Sequence, residues 1–186
     1  LPPKKSASQK AGGIYYTPKA IVTYILQNSL SRLLPCSGAL ALLDPACGSG
    51  VFLLLAYQFL LDWYLQVYLT QDLQQSLKKH WIEQSQDGVW HLSGAARSRI
   101  LLNHIYGVDI DPQAIAITKL ALGFKCLEQS DHSACPLPDL SRNIQCGNAL
   151  IGSDFIKTGL GKTITRSHHV LGLGASLSRN YPIRRV

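Results

Sequence analysis

The chain has 186 residues, of which 46% are hydrophobic, so it is long enough to bury the core of one domain. Its five cysteines form no C-x-x-C pair, which disfavours a disulfide framework or a zinc site and fits a reducing cytoplasm. The net charge of +7 is uneven, with 12 Lys or Arg against 10 Asp or Glu in residues 1–150 and 6 against 1 in residues 151–186, so it does not by itself indicate a nucleic-acid partner.

The first predicted helix follows a polar segment, residues 1–12, that we expect to be flexible. Thr17 and Pro18 form a helix start, with Thr17 as the cap and Pro18 in the first turn. Apolar residues then recur at helical spacing as far as Leu34. The short apolar run 39–43 is typical of a central parallel strand covered on both faces.

A glycine turn, Asp44 to Gly50, joins this strand to the apolar stretch 51–69. The stretch approaches the length of a membrane span. Its Gln58 and Asp62, and the turn directly before it, favour a buried core helix instead. The polar stretch 71–88 is predicted to extend or branch this helical layer.

A second unit of strand, turn and helix follows a short helix over 93–102 that Ser93 caps. The strand is predicted over 105–110, and Asp111 and Pro112 start the helix 113–126. A third strand, 143–146, ends at Gly147 and Asn148. This alternation predicts an α/β fold in which a parallel sheet has helices on both faces and binds a ligand at the carboxyl ends of its strands.

The glycine turn differs from two phosphate-binding loops. A dinucleotide fingerprint needs a third glycine where Leu53 stands, and its acid comes about twenty residues later, much sooner than Asp109. A phosphate-binding P-loop needs a Gly-Lys-Ser/Thr sequence, which this turn lacks. The turn therefore favours a ligand without phosphates.

Four motifs follow one another along the chain, at residues 13–18 (GIYYTP), 44–50 (DPACGSG), 107–112 (GVDIDP) and 146–150 (CGNAL). In this order they resemble the N6-adenine DNA methyltransferases of restriction-modification systems, above all the large ones that combine methylation and sequence recognition. The resemblance covers residues 13–155. It implies a partial Rossmann-like, class I S-adenosylmethionine-dependent methyltransferase fold, with double-stranded DNA bound mostly through regions outside this chain. No membrane and no metal partner is expected in this segment.

The resemblance assigns parts of S-adenosylmethionine to individual residues. Those placed near the methionine arm are Tyr15, Thr17, Asp44 and the backbone of Ala46, Cys47, Gly48 and Gly50. An acid beside a glycine turn also suits the positive charges of that arm. Asp109 is expected to accept hydrogen bonds from the ribose hydroxyls, and Ile110 to pack on the adenine ring. Asn148, where many family members carry Asp, is expected to accept a bond from the adenine amine, with Ala149 beside it.

Members of this family carry a further Asn-Pro-Pro-Tyr or Asp-Pro-Pro-Tyr motif that holds a flipped target adenine, and this sequence does not contain it. No catalytic residue is therefore assigned. We expect residues 13–156 to be the cofactor-binding part of a longer enzyme, inactive and marginally stable alone, and the basic tail 157–186 to be irregular and out of frame or truncated. A methyltransferase acting on RNA or protein, and a non-catalytic cofactor-binding module, remain alternatives.

Overall fold

The computed structural model describes residues 17–34, 40–70, 73–128 and 136–150. Within these ranges the chain forms five helices and five strands. In chain order they are α1 (Lys19–Leu33), β1 (Leu42–Asp44), α2 (Val51–Thr70), α3 (Leu73–Lys78), β2 (Ile82–Gln84), β3 (Trp90–Leu92), α4 (Gly94–His104), β4 (Ile105–Asp109), α5 (Pro112–Leu127) and β5 (Ile144–Cys146). The predictions for the segment 1–12, for Tyr15 and for the tail 157–186 lie outside the described residues.

The main sheet has the strand order β1-β4-β5, and all its pairs are parallel. Asp44 lies opposite Gly107, and Asp109 lies opposite Cys146, so the three strands end at the same edge of the sheet. Helices flank this sheet, which confirms the predicted α/β class and is consistent with a partial Rossmann-like methyltransferase fold. Because no described strand pairs with its other side, β1 lies at an edge of the sheet rather than at its centre, and Leu43 is 41% exposed.

Helix α2 forms the middle of the core, as the sequence predicts. It contacts every other helix and β4, and its fully buried residues include Leu53, Tyr57 and Leu60. Its length and composition would also suffice for a membrane span. The burial of one face against neighbouring helices identifies it as the core helix of this domain.

Two of the three predicted helix starts are confirmed. Ser93 Oγ accepts a hydrogen bond from Ala96 N at 3.2 Å, and the Asp111 carboxylate accepts one from Gln113 N at 2.9 Å. The cap predicted at Thr17 is wrong. The cap position of α1 is Pro18, which has no side-chain oxygen, and its carbonyl accepts the first hydrogen bonds of the helix.

The helical prediction for residues 71–88 is correct only for α3. The chain then forms an antiparallel hairpin of β2 and β3, in which Glu83 lies opposite His91. The turn contains Asp87-Gly88, a hairpin signal, and Gly88 takes a φ of 79°. Each strand has only three residues, too few to show the alternation that distinguishes a strand from a helix.

An aromatic cluster of Trp63, Tyr64, Tyr68 and Trp81 joins the far end of α2 to the chain that enters the hairpin. Lys79 Nζ and Arg99 Cζ lie 4.6 and 4.8 Å from the ring centre of Trp81. These cations over an aromatic face help to fix the hairpin on α2 and α4.

His104 connects the aromatic cluster to the start of β1. Its Nδ1 lies 2.5 Å from the Leu40 carbonyl oxygen, and its Nε2 lies 2.8 Å from the Tyr64 hydroxyl. Since a carbonyl only accepts, Nδ1 carries the proton and Nε2 accepts from Tyr64 in the neutral ring. Burial lowers the pKa of His104 and so favours this neutral form.

Candidate functional site

The loops that follow β1, β4 and β5 line an open cavity of about 320 Å³. The residues that line it are Pro45, Ala46, Asp109, Ile110, Gly147, Asn148, Ala149 and Leu150. The volume lies in the range of small-molecule sites, about 300–1,000 Å³. Five of the predicted site residues meet here, at the carboxyl edge of a parallel sheet where such folds bind ligands. The cavity therefore lies where the sequence analysis expects a ligand, and the binding roles of these residues stay a prediction.

Asp109 organises the cavity through both carboxylate oxygens. Oδ2 accepts a hydrogen bond from Gly48 N at 2.7 Å, and Oδ1 accepts one from Asp111 N at 2.9 Å. The first bond ties the end of β4 to the glycine turn after β1, and the second orients the start of α5. An ionised carboxylate has about four acceptor positions, so each oxygen can still accept a bond from a ligand hydroxyl.

Most backbone N–H groups of the glycine turn donate within the protein. Those of Ala46, Cys47, Gly48 and Gly50 donate to the Asp44 carboxylate, Val108 O, Asp109 and Cys47 O. Gly48 and Gly50 take φ angles of 52° and 81°, in the left-handed region that favours glycine. Among the described residues, the N–H groups of Ser49 and of residues 51–53 have no such bond, whereas Leu54 N donates to Gly50 O at 2.8 Å. These groups are the donors that the turn can offer to a ligand.

Asp44 is half-buried and is not among the residues that line the cavity, and its carboxylate accepts a hydrogen bond from Ala46 N at 3.1 Å. Burial raises its pKa and the negative charge of Asp109 adds to this, while the Ala46 bond acts in the opposite direction. Two carboxylates of like charge near one glycine turn favour a positively charged ligand.

The apolar part of the site is exposed. The Ile110 side chain is 57% exposed on the cavity wall, and Leu150 is 94% exposed. An exposed apolar side chain beside an acid can pack against a flat ring. Asn148 Oδ1 accepts a bond from Leu150 N at 2.9 Å, which shapes this last loop and leaves a second lone pair on the amide oxygen.

Cys47 is buried beneath the turn, and burial raises the pKa of its thiol to about 12, so it is a packing residue and not a nucleophile. Only its backbone can contribute to the site. Thr17 is exposed and does not line the cavity. Within the described residues, no group of three or more His, Cys, Asp or Glu side chains is placed to hold a metal.

The sequence analysis missed Pro45, Gly147 and Leu150 in the lining, and it missed Thr118 behind the turn. Thr118 Oγ1 donates to Gly48 O at 2.9 Å across 70 positions of sequence. A local signal for this residue did exist, because Thr118 is the one hydroxyl in the buried stripe of α5 that also contains Ala114, Ile115 and Leu122. A polar side chain in an apolar stripe needs a partner, and that partner is the glycine turn.

Comparison with known proteins gives a consistent family. The family model described as "MmeI, DNA-methyltransferase domain" matches residues 22–158 of this chain. The protein RM.MjaORFECS2P of Methanocaldococcus jannaschii, named as a type II restriction enzyme and methyltransferase, is 28% identical over 191 residues, covering 77% of this chain and 15% of its own length. RM.Eco57I of Escherichia coli, with the same description, is 31% identical over 147 residues, covering 74% of this chain and 14% of its own length. The chain thus spans a small part of either relative.

Proposed function

This chain belongs to the MmeI DNA-methyltransferase family, and we propose that its three strand-end loops bind S-adenosylmethionine for methylation of adenine N6 in double-stranded DNA. The observation that carries the proposal is the meeting of Asp109, Ile110 and Asn148 in one cavity beside a glycine turn. These three side chains suit a nucleoside joined to a cationic chain, because they combine an acid, an exposed apolar group and an amide. S-adenosylmethionine would supply the methyl group.

Each residue has a defined task in this proposal. The Asp109 carboxylate, held by two backbone N–H groups, would accept from the ribose hydroxyls. Ile110 would pack on one face of the adenine ring, and the Asn148 amide oxygen would accept from its amine. Asp44 would attract the positive charges of the methionine arm, which would lie next to the glycine turn. These contacts orient the donor, and no residue of this chain is proposed as catalytic.

The methyl-accepting atom, the DNA substrate and the cellular location are proposed for the intact enzyme. The relatives are named as restriction enzymes and methyltransferases, which supports DNA as the substrate. Adenine N6 as the acceptor atom is supported by the order of the four sequence motifs. We assign the cofactor-binding part to residues 13–156 and the location to the cytoplasm, where the free thiols of Cys47, Cys126 and Cys146 would stay reduced.

Calorimetric titration of the chain with S-adenosylmethionine tests the cofactor. Asp109→Ala is expected to abolish measurable binding, because it removes the ribose acceptor and a bond to the glycine turn. Ile110→Ala, at an exposed position that does not support the core, is expected to weaken binding about tenfold. The matched control is Asp139→Ala, which removes an exposed carboxylate that also accepts a backbone bond, from Ser141 N, outside the cavity lining.

Two results would contradict the cofactor assignment. One is the absence of heat with the wild-type chain at millimolar S-adenosylmethionine. The other is equal affinity in the wild type, Asp109→Ala and Ile110→Ala. The acceptor is tested separately by incubating the intact enzyme with DNA and digesting the product to nucleosides, where N6-methyladenine is expected and methylcytosine would refute the assignment.

A further inference from the structure

Thr118 and Asp109 both hold the glycine turn at Gly48. The side chain is fully buried on α5, and its Oγ1 donates to Gly48 O at 2.9 Å. The N–H of the same glycine donates to Asp109 Oδ2 at 2.7 Å. Both polar groups of Gly48 are therefore fixed by side chains from outside the turn.

Thr118 also fills the space beside the second glycine of the turn. A Cβ placed on Gly50 would lie 2.7 Å from Thr118 Cγ2 and 2.8 Å from Oγ1, well inside contact distance. The threonine thus contacts the backbone at Gly50 and bonds to that at Gly48. Glycine can adopt many backbone conformations, so contacts from outside the turn help to hold Gly48 and Gly50 in one of them.

The hydroxyl of Thr118, and not only its shape, is engaged. A threonine within a helix commonly bonds to the carbonyl of its own preceding turn, whereas this one bonds to a different loop. Valine has nearly the same shape and would keep the contact with Gly50. It would remove the hydroxyl donor to the Gly48 carbonyl, whose other contact is the long one from Cys47 Sγ at 3.9 Å, so the two roles can be separated experimentally.

We propose that Thr118 is a positioning residue that sets the shape of the glycine turn for the amino-acid arm of the cofactor, and that it is not needed for the adenosine part. This inference rests on the proposed function. The adenosine part would be held by Asp109, Ile110 and Asn148, which line the cavity, whereas Thr118 does not. Asp109 also keeps its bond from Asp111 N when Thr118 changes, so its orientation does not depend on the turn alone.

Two ligands that differ in the arm separate this role from a general structural one. S-adenosylhomocysteine contains the amino-acid arm, and methylthioadenosine lacks it. By calorimetry, Thr118→Val is expected to bind S-adenosylhomocysteine about tenfold more weakly than the wild type and methylthioadenosine equally well. Thr118→Ser, which keeps the hydroxyl, is expected to restore the affinity for S-adenosylhomocysteine.

The matched control is Thr70→Val, since Thr70 is an exposed helical threonine whose hydroxyl donates to Gln66 O within its own helix. This variant is expected to bind both ligands as the wild type does. If Thr118→Val does not fold, as judged by circular dichroism, Thr118→Ala tests the same ratio of affinities.

The inference is wrong if the hydroxyl-free variant binds S-adenosylhomocysteine normally. It is also wrong if that variant loses affinity for both ligands equally, because a general loosening of the domain would do this. If the wild type binds neither ligand, the proposed function itself fails, and the inference fails with it. The two failures are therefore distinguished by the wild-type titration.

Discussion

Gly107→Ala is expected to destabilise the domain because β4 passes directly over α2 at this residue. A Cβ at Gly107 would lie 2.6 Å from Leu53 Cδ1 and 3.1 Å from Cys47 Sγ. Leu53 is fully buried, so its side chain has little room to move. Ordinary contact would require a shift of roughly 1 Å in a close-packed region.

The size of the effect follows from two opposing contributions. Overpacking of a well-filled core costs about 1–3 kcal/mol. Alanine restricts the unfolded chain more than glycine does, and this stabilises by about 0.4–1 kcal/mol where the native backbone allows it, as at Gly107, which is not in the left-handed region. The net loss is about 1–2 kcal/mol. With a denaturant dependence of roughly 2 kcal/mol per molar urea, the midpoint should fall by about 0.5–1 M.

Urea unfolding followed by circular dichroism measures this change, and Gly123→Ala is the matched control. A Cβ at Gly123 would lie 2.9 Å from Leu137 Cδ2, but Leu137 is 59% exposed and can move aside. Alanine is also the better helix former by about 1 kcal/mol, so this variant should equal or exceed the wild type in stability. Leu53→Val should rescue part of the Gly107→Ala defect. Equal midpoints for Gly107→Ala and Gly123→Ala would refute the packing argument.

Three other changes have defined outcomes. Arg97 is 4% exposed and donates to the carbonyls of Lys125 and Cys126 at the end of α5. Arg97→Ala should therefore lower the free energy of unfolding in urea by about 2–4 kcal/mol, and a loss below about 0.5 kcal/mol would contradict this role. Burial lowers the pKa of His104 in the folded state, so the unfolded chain takes up a proton first as the pH falls below 6.5, and the free energy of unfolding should decrease from there toward the lowered pKa. His104→Gln should remove this dependence. A free energy of unfolding that still falls over the same pH range in this variant would disprove the role of His104. Since burial raises the pKa of Asp44 above 3.8, its charge is lost earlier on acidification, and the affinity for S-adenosylmethionine should fall as the pH falls toward that raised pKa. Asp44→Asn should bind S-adenosylmethionine about tenfold more weakly, and its affinity should not show that pH dependence. If calorimetry finds the same dependence of affinity on pH in Asp44→Asn as in the wild type, Asp44 is excluded from the site.

Local sequence signals predicted the elements that depend on neighbouring residues. The caps at Ser93 and Asp111 each need only an oxygen and a nearby backbone N–H, so the sequence alone identifies them. The apolar run of α2, with Gln58 and Asp62 inside it and the glycine turn before it, likewise indicates a core helix. The hairpin was missed although Asp87-Gly88 is a local turn signal, because strands of three residues are too short to show the alternation of a strand.

Some features of the candidate site could likewise be predicted from the sequence, and others could not. The strand ends at Asp44, Asp109 and Cys146 could be placed together from the order of the elements, because parallel strands share one carboxyl edge. The bond from Gly48 N to Asp109 joins residues 61 positions apart, and the approach of Thr118 depends on how α5 packs. Such contacts depend on tertiary distance, which residue patterns do not specify.

The aromatic cluster gives the domain a spectroscopic reporter that is separate from its ligand site. All three tryptophans of the chain, Trp63, Trp81 and Trp90, lie in the second half of α2 or in the hairpin region. Trp63 comes 13 residues after Gly50, which places it roughly 20 Å along the helix from the glycine turn at 1.5 Å per residue. Intrinsic tryptophan fluorescence should therefore change when the hairpin detaches from α2, and should change little when a ligand binds at the strand ends. Emission and heat of binding thus give independent signals from the same sample.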